Sequence, residues 1–165
     1  MKTIELSLSD LKGDLDEAYR YWDGLRGDAV GPSWAEFDLM AVPLRLVPTT
    51  MVYDIAEPYS LSVLRFWGSG MTEIHGRDMT GKQLQEMRPE TLAKSIESVL
   101  KKVAIEGHPV AHTFEFISDR DLHQQQSLLR LPLSNDRMRV SQVVTIIDSS
   151  AAAKEELRKY WQDLA

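Results

Sequence analysis

The chain has 165 residues, of which 43% are hydrophobic and 27% charged, and these values are typical of a single soluble globular domain. It contains no cysteine, which excludes disulfide scaffolds, Cys-ligated metal centres and thiol catalysis. The formal net charge of −6 argues against a nucleic-acid partner, because phosphate contacts need a surplus of Lys and Arg. The most apolar stretch, residues 143–147, is far shorter than the roughly 20 residues that cross a bilayer. The N-terminal residues lack the apolar run of a signal peptide, so we expect a cytoplasmic protein without a membrane span.

The first long element is predicted to be a helix that begins near Ser9, a good capping residue, and ends at Gly27. Its apolar side chains recur at steps of three and four residues and form one stripe: Leu11, Leu15, Ala18, Trp22 and Leu25. Such a stripe suits either a partner helix or the chain's own sheet. We predict that it forms a homodimer interface, with packing on the chain's own core as the alternative.

The next segments alternate in the way that strands do. A strand over 47–55 and a second over 62–67 are separated by a turn, which predicts an antiparallel hairpin. Residues 68–87 form a connection interrupted by glycines, with room for two short helical turns. A longer helix then begins at Pro89 and ends before Gly107.

Three further strands are predicted over 110–117, 124–133 and 138–147, the last two joined by a tight turn at Asn135 and Asp136. Pro132 should lie at an edge or a bulge, because proline cannot donate a ladder hydrogen bond. A final helix is predicted over 151–164. This order specifies an α+β fold with a five-stranded antiparallel sheet, short helices over one face, and a helix at each terminus.

The sequence contains no motif that supports catalysis or metal binding. Gly68-Ser69-Gly70 follows a strand, but the third glycine of a dinucleotide loop is replaced by Glu73, so we expect a simple turn. His108 and His112 would lie about 13 Å apart in an extended segment, too far to share an ion. We therefore assign no catalytic residue, no metal ligand and no cofactor.

The stretch from Phe66 to Lys82, with its Gly76-Arg77-Asp78 step, resembles the middle of a PAS domain. The chain is also similar to a bacterial subfamily of nearly stand-alone PAS proteins at two short motifs, Tyr21-Trp22 and Leu131-Pro132-Leu133-Ser134. The resemblance implies an N-terminal helical extension over 1–46, a PAS-like domain over 47–148 and a C-terminal helix over 149–165. It also implies that Gly76 and Gly81 shape turns. The flavin and haem cofactors of some family members are not expected here, because the chain lacks Cys and residues 89–106 contain no His.

A candidate pocket follows from the alternation in the strand over 110–117. His112, Phe114 and Phe116 share one face, which is apolar enough to point inward. Trp67 lies where the second strand meets the short helices, and His75 lies on those helices. We predict that these five side chains surround a small, partly apolar ligand held by a polar anchor. The alternative is that the rings simply fill the core.

The resemblance implies a non-enzymatic sensor that binds a small molecule, an unknown signalling protein, or both. Two other classes stay open at this point. One is a small cone-shaped α+β enzyme resembling ketosteroid isomerase, which would need an acidic residue facing an apolar pocket. The other is an adaptor with a fully packed core that binds only protein.

Overall fold

One antiparallel sheet of six strands organises the computed structural model, which describes residues 2–117, 123–149 and 158–159. The strands are β1 (Lys2–Leu6), β2 (Thr50–Asp54), β3 (Val63–Trp67), β4 (Val110–Ile117), β5 (His123–Leu133) and β6 (Gln142–Ser149). They lie in the order β1-β4-β5-β6-β2-β3. The helices are α1 (Gly13–Arg26), α2 (Ser69–His75) and α3 (Glu90–Glu106). The predicted α+β class is confirmed.

The sheet has six strands where the sequence predicted five, because β1 was missed. β1 is antiparallel to β4, with Lys2 opposite Glu115 and Leu6 opposite Ala111. Ile4 and Leu6 are half-buried while Thr3 and Glu5 are exposed. Five residues with this alternation form a strand only when a partner strand is supplied from a distant part of the chain. Residues 2–46 therefore contribute β1 and part of the cover of the sheet, in addition to the predicted helix.

The first helix begins later than predicted. Residues 8–10 form a 3₁₀ turn, Leu11 and Lys12 are extended, and α1 begins at Gly13, whose φ is +60°. Ser9 is therefore not its cap. The predicted end at Gly27 is correct: the φ of Gly27 is +55°, a conformation that favours glycine.

Both faces of the sheet are covered, whereas the sequence predicted cover on one face. α1 and the residues that follow it lie on the outer face, where a buried cluster includes Trp22, Phe37, Leu129 and Ile146. α2 and α3 lie on the inner face, where the second cluster includes Met51, Leu100 and Leu128. Alternate residues of the same strands supply the two clusters, so β2, β5 and β6 contribute apolar side chains to both faces.

The helix after Pro89 ends where predicted and begins one residue later than predicted, with Pro89 flanking it. α3 runs from Glu90 to Glu106, and Gly107 ends it in the left-handed conformation with a φ of +66°. Lys94 Nζ lies 2.8 Å from the Glu90 carboxylate, as the four-residue spacing predicts.

The connection between β5 and β6 is longer than predicted. β6 begins at Gln142, not at Met138, and residues 135–139 are exposed. The Asp136 carboxylate accepts hydrogen bonds from the backbone N–H groups of Met138 and Arg139, at 2.9 and 2.8 Å. These bonds replace a sheet ladder over residues that the alternation alone assigned to a strand.

Pro132 lies at an edge, as predicted. Pairing between β4 and β5 ends at Val110 opposite Arg130, so β4 no longer accompanies β5 at Pro132. On the other side Pro132 is opposite Val143 of β6. The missing N–H therefore costs no hydrogen bond to β4.

Of the predicted C-terminal helix over 151–164, only residues 158 and 159 are described, and both are helical. The other residues of that prediction lie outside the described part. Within the part that is described, no helix combines the length and the apolar character needed to span a membrane.

Candidate functional site

A cavity of about 280 Å³ lies between the inner face of the sheet and the helices α2 and α3. The sheet supplies its floor and the two helices its walls. Thr91 and Ser95 are exposed residues of α3 at its rim, so the cavity opens beside the first turns of that helix. The lining is mostly apolar and includes Met51, Tyr53, Trp67, Met71, Ile74, His75, Met87, Leu92, Ile96, Phe114, Gln126, Leu128, Arg130, Thr145 and Ile147.

Four lining residues form one continuous row across the sheet. Arg130 of β5 is opposite Thr145 of β6, Thr145 is opposite Met51 of β2, and Met51 is opposite Trp67 of β3. Side chains that are directly opposite on antiparallel strands have Cβ atoms about 5 Å apart. The row therefore places a guanidinium, a hydroxyl, a thioether and an indole side by side on the cavity floor.

Three polar atoms of this row are buried without a hydrogen-bond partner in the part of the chain that the structure describes. They are Arg130 Nε, Thr145 Oγ1 and Trp67 Nε1. Buried polar groups in folded proteins are nearly always hydrogen-bonded, and each exception requires an explanation. All three belong to residues that line the same cavity, so the cavity is the place where their partners would bind.

Arg130 is the charged group of the site. It is only 7% exposed. Burial lowers the pKa of its guanidinium to about 10, which still leaves the group charged at neutral pH. The described residues that line the cavity include no Asp or Glu. Burial raises the pKa of Tyr53 to about 12, so its hydroxyl is neutral and adds no negative charge.

His75 is a neutral wall of the cavity at the end of α2. Its ring centroid lies 5.3 Å from that of Trp67, with the two planes tilted by 53°. Burial lowers the pKa of His75 to about 4, so the imidazole is uncharged at neutral pH. Gly76 follows in the left-handed conformation, with a φ of +71°, and ends α2. The turn role that the resemblance implied for Gly76 is therefore seen.

The structure brings three of the five predicted pocket residues to the cavity: Trp67, His75 and Phe114. His112 lies on the same face of β4 but does not line the cavity. It is half-buried, and burial, followed by the charge of Arg130, lowers its pKa. The side chain of Phe116 lies outside the described residues.

Sequence reasoning missed the polar part of the floor. Arg130 stands in the run Leu128-Leu129-Arg130-Leu131, where a lone cation inside an apolar strand was the available signal. Thr145 gave no signal, because a threonine in a strand is unremarkable. Only the pairing of β5 with β6 brings the two together.

The predicted dimer stripe is covered by the chain's own sheet. Four of its members, Leu11, Leu15, Ala18 and Trp22, are at most 7% exposed within a single chain. They pack against outer-face residues of β2, β4, β5 and β6, and Leu25 lies partly buried beside them. The interface interpretation of this stripe is corrected in favour of its alternative, because these side chains have no surface left for a second subunit.

The Gly68-Ser69-Gly70 step is a packing feature and not a phosphate loop. A Cβ on Gly68 would lie 2.2 Å from the carbonyl oxygen of Pro48, and a Cβ on Gly70 would lie 2.9 Å from the same oxygen. These glycines allow the start of α2 to pass close to the chain before β2. No cluster of three His, Asp or Glu side chains suited to a metal ion occurs within the described ranges.

An antiparallel sheet with short helices and one longer helix over an inner cavity places the molecule in the α+β class. The sequence matches the family model described as PAS domain over residues 13–147. This match covers most of the chain, which therefore belongs to the PAS domain family. The isomerase-like alternative is excluded as a fold. The bacterial subfamily suggested by the sequence stays a prediction.

Solved structures with a similar backbone are distant. The PAS domain of the histidine kinase ThkA is 16% identical with a TM-score of 0.42, over 61% of this chain and 98% of that one. A PAS domain from Colwellia psychrerythraea is 8% identical with a TM-score of 0.41, over 70% and 99% of the two chains. An RNA-binding light-oxygen-voltage receptor is 12% identical with a TM-score of 0.44, and the match covers 81% of this chain and 40% of the receptor. No curated protein matches the sequence.

Proposed function

We propose that the chain is a non-enzymatic signalling module that binds a small molecule in the cavity between the sheet and the helices α2 and α3. The observation that carries the proposal is the coincidence of empty space with unpartnered polar atoms. The cavity measures about 280 Å³, close to the lower end of ligand pockets, which begin at roughly 300 Å³. Its floor holds Arg130 Nε, Thr145 Oγ1 and Trp67 Nε1 without partners among the described residues.

A packed core rarely combines both properties, although His112 Nδ1 and Gln142 Oε1 are also unpartnered among the described residues and lie away from the cavity. Protein interiors are as dense as organic crystals, and buried polar groups find partners. Farther along α3, Leu100 and Val103 are fully buried in the inner cluster and do not line the cavity. The cavity lies against the beginning of α3, at the end that opens to solvent through Thr91 and Ser95. This localisation supports a ligand site and argues against a general packing defect.

The proposal extends to a signalling partner and to a homodimer. Neither uses the stripe of α1, which is buried. Large exposed apolar side chains such as Met138, at 80% exposure, and Ile105, at 67%, are the kind of residue that a protein partner would cover. The alternative function is an adaptor that binds only protein. An adaptor would bind no small molecule in the cavity, whereas a sensor would.

Native mass spectrometry of freshly purified protein tests the proposal, because it reports bound small molecules and subunit number together. We expect a non-covalent adduct that is released on activation in the gas phase. Ile96→Trp should abolish this adduct, because Ile96 lines the cavity and a larger side chain would occupy the free space. Ser98→Trp, on the exposed face of the same helix, is the control and should keep the adduct.

Two outcomes would contradict the proposal. The first is the absence of any adduct from the wild type together with an unchanged melting temperature in the presence of a fragment library. The second is strong destabilisation by Ile96→Trp, since overpacking a full core costs about 1–3 kcal/mol or more. Either outcome would favour the adaptor.

A further inference from the structure

Arg130 is a buried cation without a counter-ion among the described residues. None of the ion pairs found in that part of the chain includes it. A charge taken out of water and left unpaired is strongly destabilising, and proteins normally pair it. The nearby hydroxyl of Tyr53 donates to Met51 Sδ at 3.5 Å and supplies no charge. The cavity floor is therefore electropositive and incomplete.

The neighbours of Arg130 indicate which kind of anion would complete it. Thr145, directly opposite, has a hydroxyl whose oxygen is buried without a partner. A guanidinium presents its N–H groups as a planar fork that matches the two oxygens of a carboxylate. One guanidinium and one hydroxyl provide enough donors for a carboxylate, whereas a phosphate dianion would require more positive charge. His75 is neutral and provides none.

The remaining walls indicate the rest of the ligand. Met51, Met71, Met87, Ile74 and Leu128 are each at most 5% exposed and line the cavity. Methionine side chains adapt to varied apolar shapes, and Trp67 offers an aromatic face beside them. A second charged group would have no partner among these residues. The body of the ligand should therefore be apolar.

We propose that the ligand of this cavity is a small monocarboxylate with an apolar body. Its carboxylate accepts hydrogen bonds from Arg130 and Thr145, and its body lies against the methionines and Trp67. This inference rests on the proposed function, since it names the class of ligand for the same site.

The test compares acids with neutral compounds of the same shape. Straight-chain carboxylates from butanoate to decanoate and their primary amides are titrated into the wild-type protein, and binding is measured by calorimetry and thermal unfolding. We expect at least one carboxylate to bind about tenfold or more tightly than its amide, because hydrogen bonds between charged partners are the stronger ones. Equal affinity of acid and amide, or no binding by any acid, would overturn the inference.

Variants of Arg130 then test whether its guanidinium causes the preference for acids over amides. Arg130→Met should remove the preference for acids over amides, and Arg130→Lys should retain part of it, because lysine keeps the charge and loses the fork. Arg65→Met, on an exposed residue of β3, is the control and should bind as the wild type does. A retained preference in Arg130→Met would overturn the inference.

Thr145→Val covers the case in which Arg130→Met does not fold. The substitution nearly preserves shape and removes the hydroxyl, so it should weaken carboxylates severalfold and leave the amides unchanged. An unchanged affinity for carboxylates would contradict the role of Thr145.

The experiments separate this inference from the proposed function. The carboxylate assignment alone would be overturned if neutral amides bound as tightly as acids, if Ile96→Trp abolished this binding, and if Arg130→Met left their affinity unchanged. The cavity would then remain a binding site for neutral molecules. Absence of every ligand, in mass spectrometry and in both titrations, would overturn both.

Discussion

The indole Nε1 of Trp22 donates a 2.8 Å hydrogen bond to the carbonyl oxygen of Pro132. The two residues are 110 positions apart, and the bond joins the middle of α1 to the end of β5. Trp22 is 1% exposed and packs with the outer face of the sheet. This contact explains why a helix whose stripe would suit a coiled coil belongs to the core of its own chain.

Trp22→Phe should destabilise the protein because it leaves the Pro132 carbonyl without its indole donor. The lost hydrogen bond should cost about 1–3 kcal/mol, with a further loss from the smaller ring. Urea unfolding measures the difference. Tyr21→Phe is the control: it removes an exposed bond from Asp38 N–H to the Tyr21 hydroxyl and should cost about 1 kcal/mol or less. Equal losses in the two variants would contradict the structural role of the Trp22 bond.

Phe114→Ala distinguishes a cavity wall from a packed core. Phe114 is half-buried and faces the free space, so its removal should cost clearly less than the roughly 3–5 kcal/mol of a core phenylalanine. Phe37→Ala is the matched control, because Phe37 is 4% exposed within the outer cluster and should incur the full loss. Chemical denaturation of both variants provides the comparison. A full loss at Phe114 would show that this ring fills a packed core.

Stability should fall between pH 6.5 and 4 in a manner that depends on His75. Burial lowers the pKa of His75 from 6.5 to about 4, so the unfolded chain binds more protons within this window. The contribution is complete above pH 6.5 and is lost as the pH falls towards 4, by at most about 3 kcal/mol. His75→Gln should flatten the slope of unfolding free energy against pH. His112, whose pKa burial also lowers, acts in the same direction, so His112→Gln should flatten it too. A slope unchanged in His75→Gln would show that its burial is not maintained in solution.

Two glycines should respond oppositely to alanine. A Cβ at Gly68 would lie 2.2 Å from the Pro48 carbonyl oxygen, so Gly68→Ala must shift the backbone at the start of α2 and should cost about 1–3 kcal/mol or more. Gly24 is exposed within α1, and a Cβ there meets nothing within 4 Å. Gly24→Ala should therefore stabilise the protein by about 0.5–1 kcal/mol. Thermal unfolding of the two variants measures both signs, and a neutral Gly68→Ala would show that the close approach is relaxed in solution.

Local sequence patterns predicted those helices and strands whose signals lie within the element or at its ends. The alternation from Val110 to Ile117 gave the bounds of β4, and Pro89 and Gly107 gave those of α3. β1 could not be predicted in this way, since its five residues form a strand only beside β4. The start of α1 was misplaced because Ser9 has the chemistry of a cap but lies in a separate 3₁₀ turn.

The candidate site was predicted in its aromatic part and missed in its polar part. Trp67, His75 and Phe114 were found because ring-bearing residues on one face of a strand or beside a turn are visible in the sequence. Arg130, Thr145, Met51 and Trp67 form a row only through the order of β5, β6, β2 and β3. Strand order is a property of long-range pairing, and no local pattern encodes it.

The five residues of β1 form the edge of the sheet in place of the eight residues of β4. They occupy the backbone donors and acceptors along the free side of β4, from Ala111 to Glu115. A fragment trimmed to residue 13, where the family match begins, would leave that side open to a strand from another molecule. We expect light scattering to show larger assemblies for such a fragment than for the full chain at the same concentration. The residue at which an expressed fragment begins therefore affects its tendency to aggregate.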